Sequence, residues 1–421
     1  MKPNEGRRVL TVLPDFPLPA TTGLHLRMMG NLDAVGRASE RSSVLWFSTA
    51  DRLHDVVDTE ALRRHCDEAM HAGARVEQHD MARWRLALSK IRFVVTGVTG
   101  RRASTYPYAM RYDAAGASGA IAAAIDATAS NVVVLPSQGM HWIDACPDDV
   151  DVIIDAADVL TDVTRSLAAT HAGSFIGRIG LWANHLAHRA QERAYLPRAV
   201  EVWATTAREA ERFGEIAPSA HTVVVPNTVP TPAAAAIELG STATNVVTIG
   251  MIATWSYRPN LDALVRLIDR IMPRLLASDV PIALVIAGRD LPAEIERRMA
   301  QEPRFTSLGP VNDIADFYSA VDIAALPIDV RGGVPLKLAE AMAMATPVVA
   351  TPQLVEGLQL VDGEQLIVAN DDTAFAAAIL ELADDPHRRA ALAAAAQVAQ
   401  AELFSAAAID EALAKGSVLC R

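Results

Sequence analysis

The feature that most constrains this chain is an alternation of short apolar runs with helical periodicity, which occurs twice. The first series contains the β-branched or Leu-rich runs RVLTVLP (8–14), 43–47, NVVVL (131–135), VDVII (150–154), 200–204 and 222–225. Helical patterns fall at 24–35, 60–73, 179–196 and 206–213. After a Pro- and Ala-rich stretch, TVPTPAAAAIELGSTA (228–243), a second series begins with NVVTIG (245–250) and IALVIAG (282–288). It continues through a short run at 306–308 to DIAALP (322–327) and PVVA (347–350), with helical patterns at 259–276, 292–301, 312–320 and 335–345. Buried strands separated by crossover helices form parallel sheets, because a parallel neighbour is reached only through a long connection. The expectation is therefore α/β, with two doubly wound Rossmann-like domains whose ligands sit at the carboxyl ends of the strands, in a cleft between them. The expected boundaries are 1–228 for the first domain, 229–243 for the linker and 244–395 for the second domain. An Ala-rich helical tail, 396–421, would cross back to the first domain.

Length and charge narrow the function. A chain of 421 residues suits two domains. A net charge of -12 argues against general nucleic-acid binding. The three cysteines, Cys66, Cys146 and Cys420, form no Cys-x-x-Cys pair and suggest neither a zinc knuckle nor a disulfide framework. The N-terminal segment lacks an apolar signal-peptide core and no uninterrupted apolar run reaches ~18 residues, so the expected location is cytoplasmic. One local exception is 81–111, with seven Arg or Lys residues and no acid. Its apolar positions 84, 87, 88, 91, 94, 95 and 98 fall on a helical stripe. This segment either packs its stripe on the sheet or lies on an anionic membrane surface, which would make the protein peripheral to the inner face of the membrane.

The chemistry concentrates in RGGVPLKLAEAMAMATPVVAT (331–351), preceded by NDIADFYSAVDIAALP (312–327) and followed by Glu356-Gly357-Leu358. This run resembles the donor half of retaining glycosyltransferases of family four, which have the GT-B fold. The N-terminal half agrees more loosely, through TTGLHLR (21–27), WATTAREAERF (203–213) and VVVPNTV (223–229). The resemblance implies transfer of a sugar from a nucleotide-sugar donor, a UDP-, GDP- or dTDP-sugar, to an acceptor hydroxyl with retention of configuration. The nucleotide-sugar is substrate rather than cofactor, and no metal is implied.

Residue by residue, a carboxylate at Glu340 can accept two hydrogen bonds from a ribose diol. The matching Glu of the family does this. Lys337, nearly one turn earlier, can offset charge growing on a leaving diphosphate. Gly332 and Gly333, with Val334, let backbone N–H groups approach the sugar and phosphates. Two departures stand out. Many members carry a Glu eight residues before the second one, where this chain has Gly332. Many also carry an Arg just after the strand glycine and a Lys soon after, where this chain reads GMIATWSYRPN (250–260). Gly250 keeps its place as a donor-side glycine, and Arg258 and Arg289 remain as phosphate candidates, with Asn260 beside the former.

In the first domain, Gly23 and Arg27 lie on a strand-to-helix loop suited to anions. Ser137, His141, Asp155 and Asp158 follow strands and would lie near the same edge, His141 and Asp155 being the acceptor-side candidates. No nucleophile elbow accompanies them, so a Ser-His-Asp triad is not credible. Asp149-Val150-Asp151 spells the metal motif of a different glycosyltransferase fold but precedes a strand and reads as a loop. Two other readings keep the fold: a non-catalytic GT-B partner whose donor contacts have eroded, motivated by Gly332 and the thin set at 250–258, and a GT-B sugar-nucleotide epimerase, for which no acid–base pair can be placed.

Overall fold

A computed structural model of the chain describes residues 4–18, 23–49, 59–76, 116–170, 175–229, 246–311, 313–330 and 336–420. The basic stretch 81–111, most of the proposed linker, and Gly332, Gly333 and Val334 lie outside the described residues. The chain forms two compact units. One comprises Met1–Asn227 with Ile409–Arg421, the other Thr228–Ala408.

The first unit is built on seven strands: β1 (Asn4–Leu13), β2 (Ser39–Thr49), β3 (Glu68–Val76), β4 (Val132–Pro136), β5 (Asp151–Asp155), β6 (Glu201–Ala204) and β7 (His221–Val224). They lie in the order β3-β2-β1-β4-β5-β6-β7, and every pairing is parallel. Its helices are α1 (Gly23–Ala38), α2 (Ala117–Thr128), α3 (Leu160–Thr170), α4 (Phe175–Tyr195) and α5 (Ala207–Ile216). All residues of β4 and β6 are buried, as required of strands covered on both faces. Three buried clusters follow, around Leu10, Val133, Ile154 and Trp142, around Val9, Val134, Ile153 and Trp203, and around Leu13, Leu32 and Trp46.

The second unit has six parallel strands: β8 (Val247–Ile252), β9 (Ile282–Ala287), β10 (Phe305–Ser307), β11 (Ile323–Leu326), β12 (Val348–Ala350) and β13 (Ile367–Val368), in the order β10-β9-β8-β11-β12-β13. Its helices are α6 (Arg258–Arg266), α7 (Ala293–Met299), α8 (Ile314–Tyr318), α9 (Leu336–Ala343), α10 (Asp372–Asp384) and α11 (Pro386–Leu403). α6 runs on through a π turn, Leu267–Ile271, into Met272–Leu276. Pro273 accounts for the turn, because its ring clashes with the carbonyl four residues earlier and offers no N–H.

The tail is not one helix. α11 ends near Phe404, and α12 (Ala406–Gly416) begins after Ser405. Residues 386–416 are long and apolar enough to cross a bilayer by composition. Yet Leu392, Ala396 and Phe404 belong to the core of the second unit, and Ile409 and Leu413 to that of the first. Val229 is already part of the second unit: it is buried, and its N–H donates to the Phe404 carbonyl at 3.1 Å.

One expected helix is corrected. Residues 60–73 form a single turn, Thr59–Leu62, followed by strand β3. Glu68, Ala69 and Met70 register against Ser43, Val44 and Leu45 of β2, so pairing along an open sheet edge overrides the helical preference of the Glu-Ala-Met segment.

Candidate functional site

In each unit the strand order reverses once, between β1 and β4 and between β8 and β11. The chain leaves these neighbouring strands toward opposite sides, opening a crevice beyond their carboxyl ends. In the second unit the loops at this edge are tied together. Gly288 follows β9 at φ 127°, where a Cβ would come within 1.7 Å of the Ala253 carbonyl oxygen. That glycine lets the loops after β8 and β9 cross. They are tied by Ala253 N–H to Ala287 O (3.1 Å), Trp255 N–H to Arg289 O (2.9 Å) and Gly288 N–H to Gly309 O (2.8 Å), over a fully buried Trp255.

Across this crevice the structure brings together residues from two helices. Asn260 lies in the first turn of α6, which follows β8, and Lys337 in the first turn of α9, which follows β11. The Lys337 ammonium donates to Asn260 Oδ1 at 2.9 Å, and Asn260 Nδ2 donates to the Thr254 carbonyl at 2.9 Å. Tyr318, buried at the end of α8, donates its hydroxyl to the Lys337 carbonyl at 3.1 Å. Glu340 is half-buried one turn along α9, and its carboxylate accepts no hydrogen bond from the described residues. Burial lowers the Lys337 pKa to about 8, against the opposing pull of Glu340. Burial likewise raises the Glu340 carboxyl above its ordinary range, and Lys337 partly offsets it. The N-terminus of α9 adds positive potential beside the ammonium. Chemically, the arrangement offers a cation with one neutral tether and a carboxylate with open acceptor sites.

Other donor-side candidates sit differently. Arg258 is 64% exposed and paired with Asp262, its neighbour one turn along α6, at 2.8 Å. Arg289 is half-buried beyond β9, with its carbonyl engaged by Trp255. Gly250 is inside β8, and a Cβ there would meet Val321 Cγ2 at 2.4 Å and Phe317 Cζ at 2.9 Å. The packing of helix α8 onto the sheet accounts for that glycine without any ligand.

In the first unit, Gly23 is exposed at the start of α1. Arg27 and Asp155, expected on open loops, are instead locked to one another. Arg27 is 2% exposed. Its Nε and Nη2 donate to Asp155 Oδ1 at 2.9 and 2.5 Å, and its Nη1 donates to Val225 O and Asn227 Oδ1 at 3.0 and 2.9 Å. Asn31 Nδ2 donates to Asp155 Oδ2 at 2.8 Å. The physical reason is position: α1 covers the ends of β1 and β5, so the guanidinium must be satisfied where it is buried.

Ser137 opens a 3-10 segment, Ser137–Ala145, at the end of β4, and with Thr11, Asn31 and Asp155 it lines a small pocket under α1. His141 lies in the same segment, half-buried with its ring beside Trp142, and burial lowers its pKa to about 4. Neither ring nitrogen has a partner among the described residues. Asp151 begins β5, at the opposite edge of the sheet, and accepts from Arg7 at 2.8 Å, so the Asp-x-Asp spelling is taken up by an ion pair.

Sequence reasoning noted Asn260 only as a neighbour of Arg258 and missed Tyr318 and Thr254. Thr254 and Asn260 had a positional signal, since both follow the carboxyl end of β8, whereas Tyr318 is the last residue of α8 and had none. WATTAREAERF has a local explanation. Thr206 caps α5 by accepting from Glu209 N–H at 3.2 Å, and the Glu209 carboxyl group accepts from the Thr205 and Thr206 hydroxyls, so this Thr-x-x-Glu run is an N-cap.

Residues 244–385, most of the second unit, match the family described as Glycosyl transferases group 1. No curated protein matches the chain by sequence. Among solved structures, HepE from Anabaena in complex with UDP and glucose is 15% identical and has a TM-score of 0.59, over 97% of this chain and 99% of that one. The sucrose-phosphate synthase of Thermosynechococcus elongatus is 18% identical, with a TM-score of 0.65 over 97% and 98% of the two chains. A glycosyltransferase from Rickettsia africae is 12% identical, with a TM-score of 0.61 over 96% of each. At such identities the likeness shows the fold, which is the GT-B arrangement of two Rossmann-like units.

Proposed function

We propose that the chain is a retaining glycosyltransferase whose second unit holds a nucleoside diphosphate sugar. The observation that carries this reading is Glu340, half-buried and without a hydrogen-bond partner among the described residues, one turn from the Lys337 ammonium at the β8–β11 crevice. Glu340 accepts from the two ribose hydroxyls. Lys337 and the N-terminus of α9 face the diphosphate and stabilise the charge that grows on it as the glycosidic bond breaks. In this reading a diphosphate oxygen takes the proton from the acceptor hydroxyl, and the hydroxyl attacks from the face the leaving group occupied, so the configuration is kept. The protein contributes positioning and charge rather than a nucleophile. The family match over 244–385 and the UDP bound by the Anabaena neighbour support a donor of this kind.

Thermal unfolding with UDP, GDP, dTDP, ADP and CMP tests the reading. A nucleotide at ~100 times its dissociation constant stabilises the wild type by roughly 2.7 kcal/mol. The expected result is one nucleoside diphosphate that does so and loses most of its effect in Glu340→Ala. No shift with any of them would remove the ribose clamp and favour the non-catalytic partner. Slow hydrolysis of the matching donor without acceptor then separates a transferase from such a partner, and release of an epimerised sugar would identify an epimerase.

A further inference from the structure

The Lys337–Asn260 contact joins residues 77 positions apart, one from each helix that flanks the crevice. We infer that Asn260 is a positioning residue for the Lys337 ammonium: an uncharged acceptor that fixes the cation across the crevice while leaving its charge to an anionic ligand. This deepens the proposed function and rests on it for the identity of that ligand, the diphosphate of the donor.

Three observations carry the inference. First, Asn260 is itself held. It is 6% exposed, it follows Pro259 in the first turn of α6, and its Nδ2 is fixed on the Thr254 carbonyl, so its Oδ1 has one direction to face. Second, Lys337 has no competing carboxylate in hydrogen-bond contact among the described residues. Glu340 acts on it through space from one turn away, and Tyr318 holds its backbone carbonyl rather than its ammonium. Third, the nearby arginine in the strand-to-helix segment is turned elsewhere, because Arg258 is exposed and paired with Asp262. Thus the segment GMIATWSYRPN contributes an amide to the crevice rather than a cation.

The chemistry explains why an amide suits this position. An ammonium on four carbons samples many rotamers, and fixing it on binding costs part of the affinity. A carboxylate at 260 would fix it equally well but would neutralise it and repel a diphosphate. An aliphatic residue would leave it loose. An amide oxygen directs the ammonium without adding charge.

The test uses the full-length protein and the fact that the chain contains four lysines, Lys2, Lys90, Lys337 and Lys415, so Lys337 is resolved by peptide mass spectrometry after brief acetylation. Its labelling rate against pH is compared in wild type, Asn260→Ala and Asn260→Asp, alongside binding of UDP and UMP. Asn260→Asp places a negative charge against the ammonium, so the expected labelling midpoint rises by about one pH unit or more. UDP affinity near pH 7 is expected to fall roughly tenfold or more, with UMP affinity changed far less, because the second phosphate carries the interaction. Asn260→Ala leaves the charge but frees it, and is expected to speed labelling and weaken UDP by a smaller factor.

An unchanged labelling profile in both variants overturns the inference, and because labelling needs no nucleotide, it does so independently of the proposed function. Equal UDP affinity in all three proteins also overturns it. Should either variant fail to fold, a cycle with Lys337→Met decides. The Asn260→Ser effect on UDP binding is expected to vanish when Lys337 is already Met. An Asn260→Ser effect of full size in that background would mean that Asn260 acts only through the fold. Loss of UDP binding in Glu340→Ala with no effect at Asn260 would leave the donor site standing and remove only this residue's role.

Discussion

The carboxyl edges of the two sheets carry similar residue types and use them oppositely. In the first unit, Arg27 is surrounded: Asp155, the Val225 carbonyl and Asn227 take its donors, and Asn31 takes the remaining oxygen of Asp155. In the second unit, the Lys337 ammonium donates to one neutral oxygen, and Glu340 has no hydrogen-bond donor among the described residues. A cation most of whose donors are matched by fixed protein acceptors stabilises a fold. A cation and a carboxylate left partly unmatched raise the free energy of the unliganded protein and lower that of a complex. The carboxyl edge of the first sheet therefore matches its buried cation within the protein, whereas that of the second leaves a cation and a carboxylate partly unmatched.

The largest effect that could break this contrast is at Arg27. Arg27→Ala leaves the mostly buried Asp155 without its cation, with only the Asn31 amide among the described residues as a donor, and is expected to lower unfolding stability by roughly 3 kcal/mol, measured by urea unfolding. Nucleotide affinity of the folded fraction should not change. A stable Arg27→Ala protein with lost activity would put the arginine on a ligand instead and erase the distinction between the two edges.

Glu209 sharpens the same point through pH. Burial, followed by the nearby Asp158, raises its pKa to about 8, above the usual carboxylate value. The folded protein then holds a proton that the unfolded chain releases between the ordinary Glu value and about 8, so this group's contribution to stability is complete below that range and is lost as pH rises through it. Glu209→Gln should flatten the decline, by on the order of 1–3 kcal/mol between mildly acidic and mildly alkaline pH. A decline of the same size in the variant would show that Glu209 titrates normally.

At the other edge the sign is reversed. The Lys337 pKa, lowered to about 8 by burial, lies below that of the unfolded chain, so its contribution to stability is present at high pH and is lost as pH falls through about 8. Anion binding needs the charged form and moves the other way. UDP affinity is expected to fall roughly tenfold between pH 7 and 9, and Lys337→Arg, which stays protonated, should remove most of that fall. A flat affinity profile in the wild type would mean that the ammonium does not face the diphosphate.

What could be read in advance follows from sequence distance. NVVTIG and IALVIAG are apolar in a run, and their burial as β8 and β9 follows from that local pattern. Thr206 and Glu209 are three residues apart, so their N-cap is visible in the letters. β3 was not visible, because Glu68–Val76 is a strand only through its register with β2. The contacts that define the two edges were not visible either: Arg27 meets Asp155 across 128 residues and Lys337 meets Asn260 across 77. The sequence marks Arg27 and Lys337 alike as cations near strand ends. Only folding reveals which of them is already paired.

Arg258 is the smallest and most specific test of that lesson. By sequence it stands where phosphate-binding cations of the resembling family stand, and by structure it is an exposed partner of Asp262 on the outer side of α6. Exposed pairs one helical turn apart contribute ~0.3–0.5 kcal/mol, because water screens them and both side chains lose rotamer freedom. Arg258→Ala should therefore change thermal stability by no more than about 0.5 kcal/mol. UDP affinity should change less than about twofold, well under the tenfold that 1.4 kcal/mol represents. A tenfold loss would mean that the guanidinium leaves Asp262 and turns to the diphosphate when the nucleotide binds. The second edge would then supply two cations to the ligand, and the amide of Asn260 would be one support among several rather than the residue that decides where the charge sits.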